Sequence, residues 1–281
     1  MGRIEWSVSQ SHLFNQCPKA WSLRRRKADE TGSRVKSVPL GSIVGIAVHR
    51  AIAGQITLWR DGMEVSPRSA EETGMDFVGE IWSHRERAIT EFVNGMKVGN
   101  QTYSRMVDAV HDRVVTFFRM FWPHLSKHTY VTHEALDSFE IPGVRMWVQV
   151  DLATRDAAKE LLVSDWKTGQ GHGIEVDSFQ MGVYALWAHV KYERSPSRIH
   201  TQVVNLRTGQ VNRRTETAES LQGIQARLVE ETSRISALDR TDDFVASPSI
   251  EVCRSCSYLR VCDEGTSTMD GTGVQSADSE L

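Results

Sequence analysis

Two short runs, VRMWVQVDL and ELLVSDWK, are rich in β-branched and aromatic residues and carry Asp151 and Asp165 near their ends. Only the polar segment TRDAAK (154–159) separates them. That pattern reads as two antiparallel strands joined by a hairpin turn, and the pairing brings Asp151 beside Asp165. Side chains alternate along a strand, so Asp165 and Lys167, two apart, share one face. The fold must bury the apolar residues of this hairpin while leaving two acids and an amine converging at one end of it.

The remaining chain supplies the covering elements. A short helix is expected around 9–16, with Ser7 or Ser9 as N-cap, then a loop rich in Gly, Ser and Pro to about residue 40. Residues 41–59 read as a helix. Two longer helical stretches follow, about 68–95 and 102–122, the second stopped at Trp122-Pro123. HTYVTHEALDSFEI is strand-like with Glu134 at its start, and a helix is expected from about 176 to 192. IHTQVVNLR and QVNRRTE read as strands joined at Thr208-Gly209, before a final helix over about 217–239. The expected class is α/β (α+β), a mixed sheet flanked by helices. The 281 residues, 40% hydrophobic and 25% charged, suit a globular domain and exclude wholesale disorder, collagen and coiled coil. Apolar runs such as Leu161–Val163 are too short to cross a bilayer, and the N-terminus lacks a secretory apolar region. The expectation is a soluble, cytoplasmic protein without a membrane partner. No internal repeat and no P-loop pattern occurs, so no ATP motor is expected.

Charge is uneven. The net formal charge of −3 hides a basic head, in which residues 1–50 hold nine Lys/Arg, including Arg24-Arg25-Arg26-Lys27, against three acids. Residues 263–281 hold five acids and no Lys or Arg, and read as a disordered acidic tail. A basic cluster is more often a solvated surface than a nucleic-acid site, so RRRK alone decides little.

Two carboxylates facing one point make a hard oxygen site suited to Mg²⁺ or Mn²⁺. Lys167 beside them would orient a water or stabilise phosphate charge, and the backbone carbonyl of Trp166 is a further donor. An isolated D-x-K is otherwise a surface ion pair worth little. Gln180 and Tyr184, i and i+4 on the following helix, share a face and would present an amide and a phenol. His49, on the apolar stretch GSIVGIAVHRAI, gains meaning only as a third metal ligand, and Glu134 would add a carboxylate.

The four cysteines split one plus three: Cys17, then Cys253, Cys256 and Cys262. Two disulfides are arithmetically open, but an intracellular setting disfavours them. Four thiolates complete either a tetrahedral zinc site or a [4Fe–4S] cluster, and spacing alone does not choose. Either would tie the N-terminal loop to the C-terminal element.

In order, His49, Glu134, Asp151, Asp165-Trp166-Lys167 and Gln180-Met181-Gly182-Val183-Tyr184 resemble the motif series of RecB-like nucleases of the PD-(D/E)XK superfamily. SVSQSHLFNQCPKAWSLRRR with the three later cysteines resembles its iron–sulfur branch, which includes CRISPR-associated RecB-like exonucleases and the AddB nuclease domain. The resemblance implies a restriction-endonuclease-like domain over residues 1–262, with a helical insert at about 68–122, and divalent-metal hydrolysis of DNA. It implies His49, Asp151, Asp165 and the Trp166 carbonyl as metal ligands. Asp151, Asp165, Lys167 and Glu134 would be catalytic. Gln180, Tyr184, Arg24, Arg25, Arg26 and Lys27 would bind DNA, and Cys17, Cys253, Cys256 and Cys262 would hold the cluster. VQVDLA lacks the glycine two residues before the Asp that many members carry. The expected activity is exonuclease action on single-stranded ends, with Trp21 open to base stacking. The alternatives are a non-catalytic DNA-end-binding scaffold and a flap or branched-DNA endonuclease. A helicase, recombinase or CRISPR-adaptation protein is the expected kind of partner, in a prokaryotic or phage-encoded setting.

Overall fold

The computed structural model describes residues 4–31, 37–169, 178–241 and 243–270, with no side-chain detail for 26–31 and 239–241. The elements run β1 (Ile4–Ser7), α1 (Val8–Gln16), α2 (Pro18–Thr31), α3 (Leu40–Arg60), α4 (Pro67–Ser83), α5 (Arg85–Ala88), α6 (Thr90–Val93), α7 (Thr102–Thr116), a π-helical turn (Phe117–Phe121) and α8 (Trp122–Leu125). Next come β2 (Thr129–Thr132), β3 (Leu136–Ile141), β4 (Val144–Gln149), β5 (Leu152–Arg155), β6 (Leu161–Lys167), α9 (Ser178–Lys191), β7 (Ile199–Asn205) and β8 (Val211–Thr215). The chain closes with α10 (Ala218–Thr241), α11 (Ile250–Arg254) and α12 (Asp263–Asp270).

The mixed α+β architecture matches expectation, but the strands form two sheets instead of one. The larger has the order β2-β5-β6-β7-β8, and the smaller β1-β4-β3. A hairpin does join the two segments, β5 to β6, antiparallel with Leu152 opposite Ser164, while β6 and β7 run parallel. The run VRMWVQVDL is not its first strand, however, since it splits into β4 of the smaller sheet and the start of β5. Thr154 and Arg155, read as turn, pair with Leu162 and Leu161. The chain crosses between sheets at Val150-Asp151, so Asp151 sits where one sheet ends and the other begins. HTYVTHEALDSFEI is not one strand but two, β2 and β3, in different sheets. The break falls at Glu134, whose φ of +46° is left-handed, a conformation that costs an L-residue of its kind roughly 1–3 kcal/mol.

β6 divides its side chains between two cores. Leu161 and Val163 join β4, α1, α9 and α10 in one; Leu162 and Trp166 face α3, α4 and α7 in the other. α3 forms because Ile43, Ala47, Ala51 and Ile52 make a fully buried stripe at helical spacing, each large aliphatic contributing roughly 1.5–3 kcal/mol. By length and composition this helix is apolar enough to cross a membrane, which the run lengths do not reveal; its buried stripe packs on α4 and α7. His49, Ala53 and Thr57 lie along one edge of that stripe, partly exposed.

Two further expectations change. The loop read over 17–40 contains α2, because Pro18 suits a first helical position and Ala20 and Trp21 are buried beneath straight-chain basic residues. Trp21 is 3% exposed, packed against Trp6, Phe14 and Phe244, so it cannot stack on bases. The tail read as disordered begins with α12, whose Gly265 is buried where a side-chain Cβ would come within 3.5 Å of the sulfurs of Cys253 and Cys262; residues 271–281 lie outside the described residues.

Candidate active site

The end of β6 carries the predicted set. Asp165 is 2% exposed, and its Oδ2 lies 2.8 Å from Lys167 Nζ. That contact is ionic, since the same oxygen accepts no well-aligned hydrogen bond. Gln180, one turn into α9, links the pair: Lys167 Nζ donates to its Oε1 at 2.8 Å, and its Nε2 faces Asp165 Oδ1 at 3.1 Å. Asp151 stands across the hairpin, its Oδ2 accepting the Trp166 N–H at 2.6 Å. Burial and the neighbouring Asp151 carboxylate push the Asp165 pKa up to about 6, against the pull of Lys167 and His49.

α3 brings His49 to the same point from the other core. Its Nε2 lies 3.0 Å from the Trp166 carbonyl, which can only accept, so Nε2 carries the proton. Nδ1 then faces Asp151 Oδ1 at 3.1 Å and Glu134 Oε1 at 3.6 Å. Burial opposes charge on the ring, but the Asp151 and Glu134 carboxylates outweigh it and hold the His49 pKa well above its ordinary value. Donor atoms of His49, Glu134 and Asp151 lie within 4.8 Å of one another. This nitrogen and these carboxylate oxygens fit Mg²⁺ or Mn²⁺, at a point whose negative field already retains a proton. Asp165 stands beside this triplet, outside it, with its oxygens turned to Gln180 and Lys167.

The sequence reading missed what holds Glu134. Gln149 Nε2 donates to Glu134 Oε2 at 2.6 Å, and Tyr184 O–H donates to the Gln149 carbonyl at 2.9 Å. Tyr184 also accepts from Gln180 Nε2 at 2.8 Å. It is 6% exposed, with burial and the acid pair raising its pKa well above 10.0. Its one proton is therefore committed within the protein, unlike the DNA contact expected of it. Next to Glu134, His133 bridges α3 and β2: Nε2 lies 2.9 Å from Thr57 Oγ1 and Nδ1 2.9 Å from Tyr130 O–H. Thr57 spends its own proton on the Ala53 carbonyl, so His133 Nε2–H donates to Thr57 and Nδ1 accepts from Tyr130. No sequence pattern marks this relay; it appears only once β2 packs on α3.

Of the basic head, Arg24 and Arg25 are exposed, with Arg25 4.9 Å over the Trp21 ring; the side chains of Arg26 and Lys27 lie outside the described residues. The four cysteines are free of disulfides and line one largely apolar cavity with Ala20, Val252 and Leu259. Burial raises the thiol pKa of Cys256 and Cys262. Lys19 of α2 reaches Glu264 of α12 at 2.6 Å beside them, and Asn94, the residue after α6, donates to the Cys256 carbonyl at 3.2 Å.

The family model of the PD-(D/E)XK nuclease superfamily matches residues 5–263. No curated protein matches the chain. Among solved structures, a Eubacterium rectale protein named by inference as an exonuclease is similar over 95% of this chain and 92% of its own, at 14% identity and a TM-score of 0.49. SSO0001 is similar over 86% of this chain and 95% of its own, at 13% identity and a TM-score of 0.32. Both are distant likenesses.

Proposed function

Because the chain belongs to the PD-(D/E)XK nuclease superfamily, and so is a metal-dependent nuclease whose substrate is DNA, we propose that it is an exonuclease on single-stranded ends with a structural [4Fe–4S] cluster. The observation that carries the catalytic reading is the meeting of Asp151, Asp165, Lys167, Glu134 and His49 at the end of β6.

His49 Nδ1, Asp151 and Glu134 would hold a divalent cation, with Asp165 adjoining. When bound, the cation supplies a lowered pKa for water and neutralises phosphate charge. The Trp166 carbonyl acts as the acceptor that orients the His49 ring, the usual support of a ligating imidazole, rather than as the ligand first expected. Lys167 has three N–H donors. Gln180 accepts one of them and Asp165 holds the ammonium by charge, leaving a donor for a water or a non-bridging phosphate oxygen. Gln180 and Tyr184 hold these groups so that little reorganisation is needed at the moment of reaction.

The preference for single strands rests on the resemblance and on two exposed aliphatic side chains beside the site. Ile46, one turn before His49, is 40% exposed, and Leu136, opposite Gln149 on β3, is 66% exposed; each offers an apolar surface to an unstacked base. The cluster assignment rests on the resemblance and on all four cysteines lining one cavity, which joins the N-terminal Cys17 to the C-terminal three; iron content and absorbance separate a cubane from a tetrahedral zinc there. The test is digestion of 5′- and 3′-labelled single and double strands, and of circular single strands, with Mg²⁺ or Mn²⁺ and an EDTA control. Shortening of linear single strands alone is expected. Cutting of circles assigns an endonuclease, and binding without cleavage assigns a scaffold.

A further inference from the structure

Arg113 is 9% exposed, yet no carboxylate among the described residues lies within the 4.0 Å of an ion pair. It sits on α7, inside the helical insert that carries no recognisable motif. Nε donates to the Thr168 carbonyl at 3.0 Å and Nη1 to the Ala109 carbonyl at 3.1 Å. Thr168 is the residue after Lys167, so the guanidinium is anchored at the exit of the catalytic strand. The chain brings a second arginine, Arg207, close to the same exit. Asn205 is the register partner of Lys167, and the Leu206 N–H donates to the Lys167 carbonyl at 2.8 Å. Arg207 follows, exposed, in a turn fixed by Asn205 Oδ1 accepting the Arg207 N–H at 2.9 Å. Burial and repulsion from Arg207 lower the pKa of Arg113, and Asp112, exposed on the same helix, opposes this only weakly.

Burying a cation without a counter-ion is costly, and bringing a second cation beside it adds to that cost. An anion supplied from outside removes both penalties. Nη2 of Arg113 has no protein partner among the described residues, and paired guanidiniums match phosphate oxygens in geometry and charge. We propose that Arg113 and Arg207 form a phosphate subsite for the substrate strand, holding a phosphodiester next along the backbone from the one that Lys167 faces. This deepens the nuclease reading and rests on it. The helical insert then has a defined job: α7 delivers one half of the clamp, and the β7–β8 turn delivers the other.

The test is steady-state cleavage of labelled single-stranded oligonucleotides over a range of salt, with wild type, Arg207→Gln and Arg113→Lys. Arg207→Gln is expected to keep the wild-type kcat and, since it removes a charge that repels Arg113, to fold with a Tm equal to or slightly above wild type. Its KM rises roughly tenfold at low salt, as for loss of one charge-assisted contact, and its slope of log affinity against log salt flattens by about 0.7. Arg113→Lys keeps the charge but loses the fork, so KM rises while the salt slope stays. If Arg113→Lys does not fold, Arg207→Gln still decides. A wild type that cuts, with Arg207→Gln equal to it in KM and salt slope, overturns the subsite alone; a wild type that neither binds nor cuts DNA overturns the nuclease reading with it.

Discussion

Replacing Asp165 by Asn is expected to abolish cleavage and to make the metal-free protein more stable. The carboxyl titrates at about 6 in the folded protein against an ordinary 3.8, so it is deprotonated more readily in the unfolded chain. Two units at about 1.36 kcal/mol each amount to about 3 kcal/mol. The sign follows from proton binding: between these two values the folded state holds the extra proton, so stability falls as pH rises through the window and stays lower above it. Asn mimics the neutral acid in shape and carries no charge to repel Asp151. At pH 8 in EDTA, Asp165→Asn should therefore exceed wild type by up to about 3 kcal/mol, or about 6–12 °C in Tm at roughly 2–4 °C per kcal/mol. The advantage should vanish below pH 4. Urea unfolding followed by tryptophan fluorescence at pH 4, 6 and 8 measures it. A variant less stable than wild type at pH 8, or an advantage that does not shrink on acidification, refutes the reasoning.

Above pH 6.5 the EDTA-treated protein should lose further stability as His49, protonated beyond its ordinary range in the fold, gives up its proton; His49→Gln should flatten that limb of a Tm-against-pH profile. Gly182→Ala places a Cβ 2.5 Å from Ile224 on α10. The helix gains about 1 kcal/mol and overpacking costs about 1–3 kcal/mol, so a net loss of about 1 kcal/mol in the urea midpoint is expected. His133→Phe breaks both the Thr57 and Tyr130 bonds that brace the left-handed Glu134. Its Mg²⁺ requirement, read from activity against metal concentration, should rise about tenfold while secondary structure by circular dichroism is retained. Cys256→Ser should lower iron per chain in protein purified without oxygen, with loss of absorbance near ~400 nm.

β6 was legible because its alternation puts Asp165 and Lys167 on one face, and the approach of Asp151 followed from a turn after it. That Asp151 sits at the crossing from one sheet to the other, outside any strand, was not legible, because it depends on where β4 ends and β5 begins. α9 was legible through Gln180 and Tyr184 at i and i+4. What failed was whatever depends on which surfaces meet. The four residues of β1 carry too little pattern to be read before β4 pairs with them. The helix α2 was hidden by its charges, since its buried side is defined by Trp6 and Phe244, distant in sequence. Glu134 looked like an ordinary strand residue because a φ of +46° is imposed by the chain passing from one sheet to the other. His133 and Arg113 gave no signal at all: the roles of both are set by partners, Thr57 and Thr168, more than fifty residues away.

The cysteine-lined cavity also sets a timetable for the making of the protein. Cys17 leaves the ribosome 236 residues before Cys253, a wait of about 10–50 s at ~5–20 residues per second. Through that interval the first thiol has no companions, while β5, β6 and α3 are free to assemble around the acid site. A ligand shared by all four thiols can be bound only once Cys262 has emerged, so the acid site is expected to assemble before the two ends of the chain meet at the cavity.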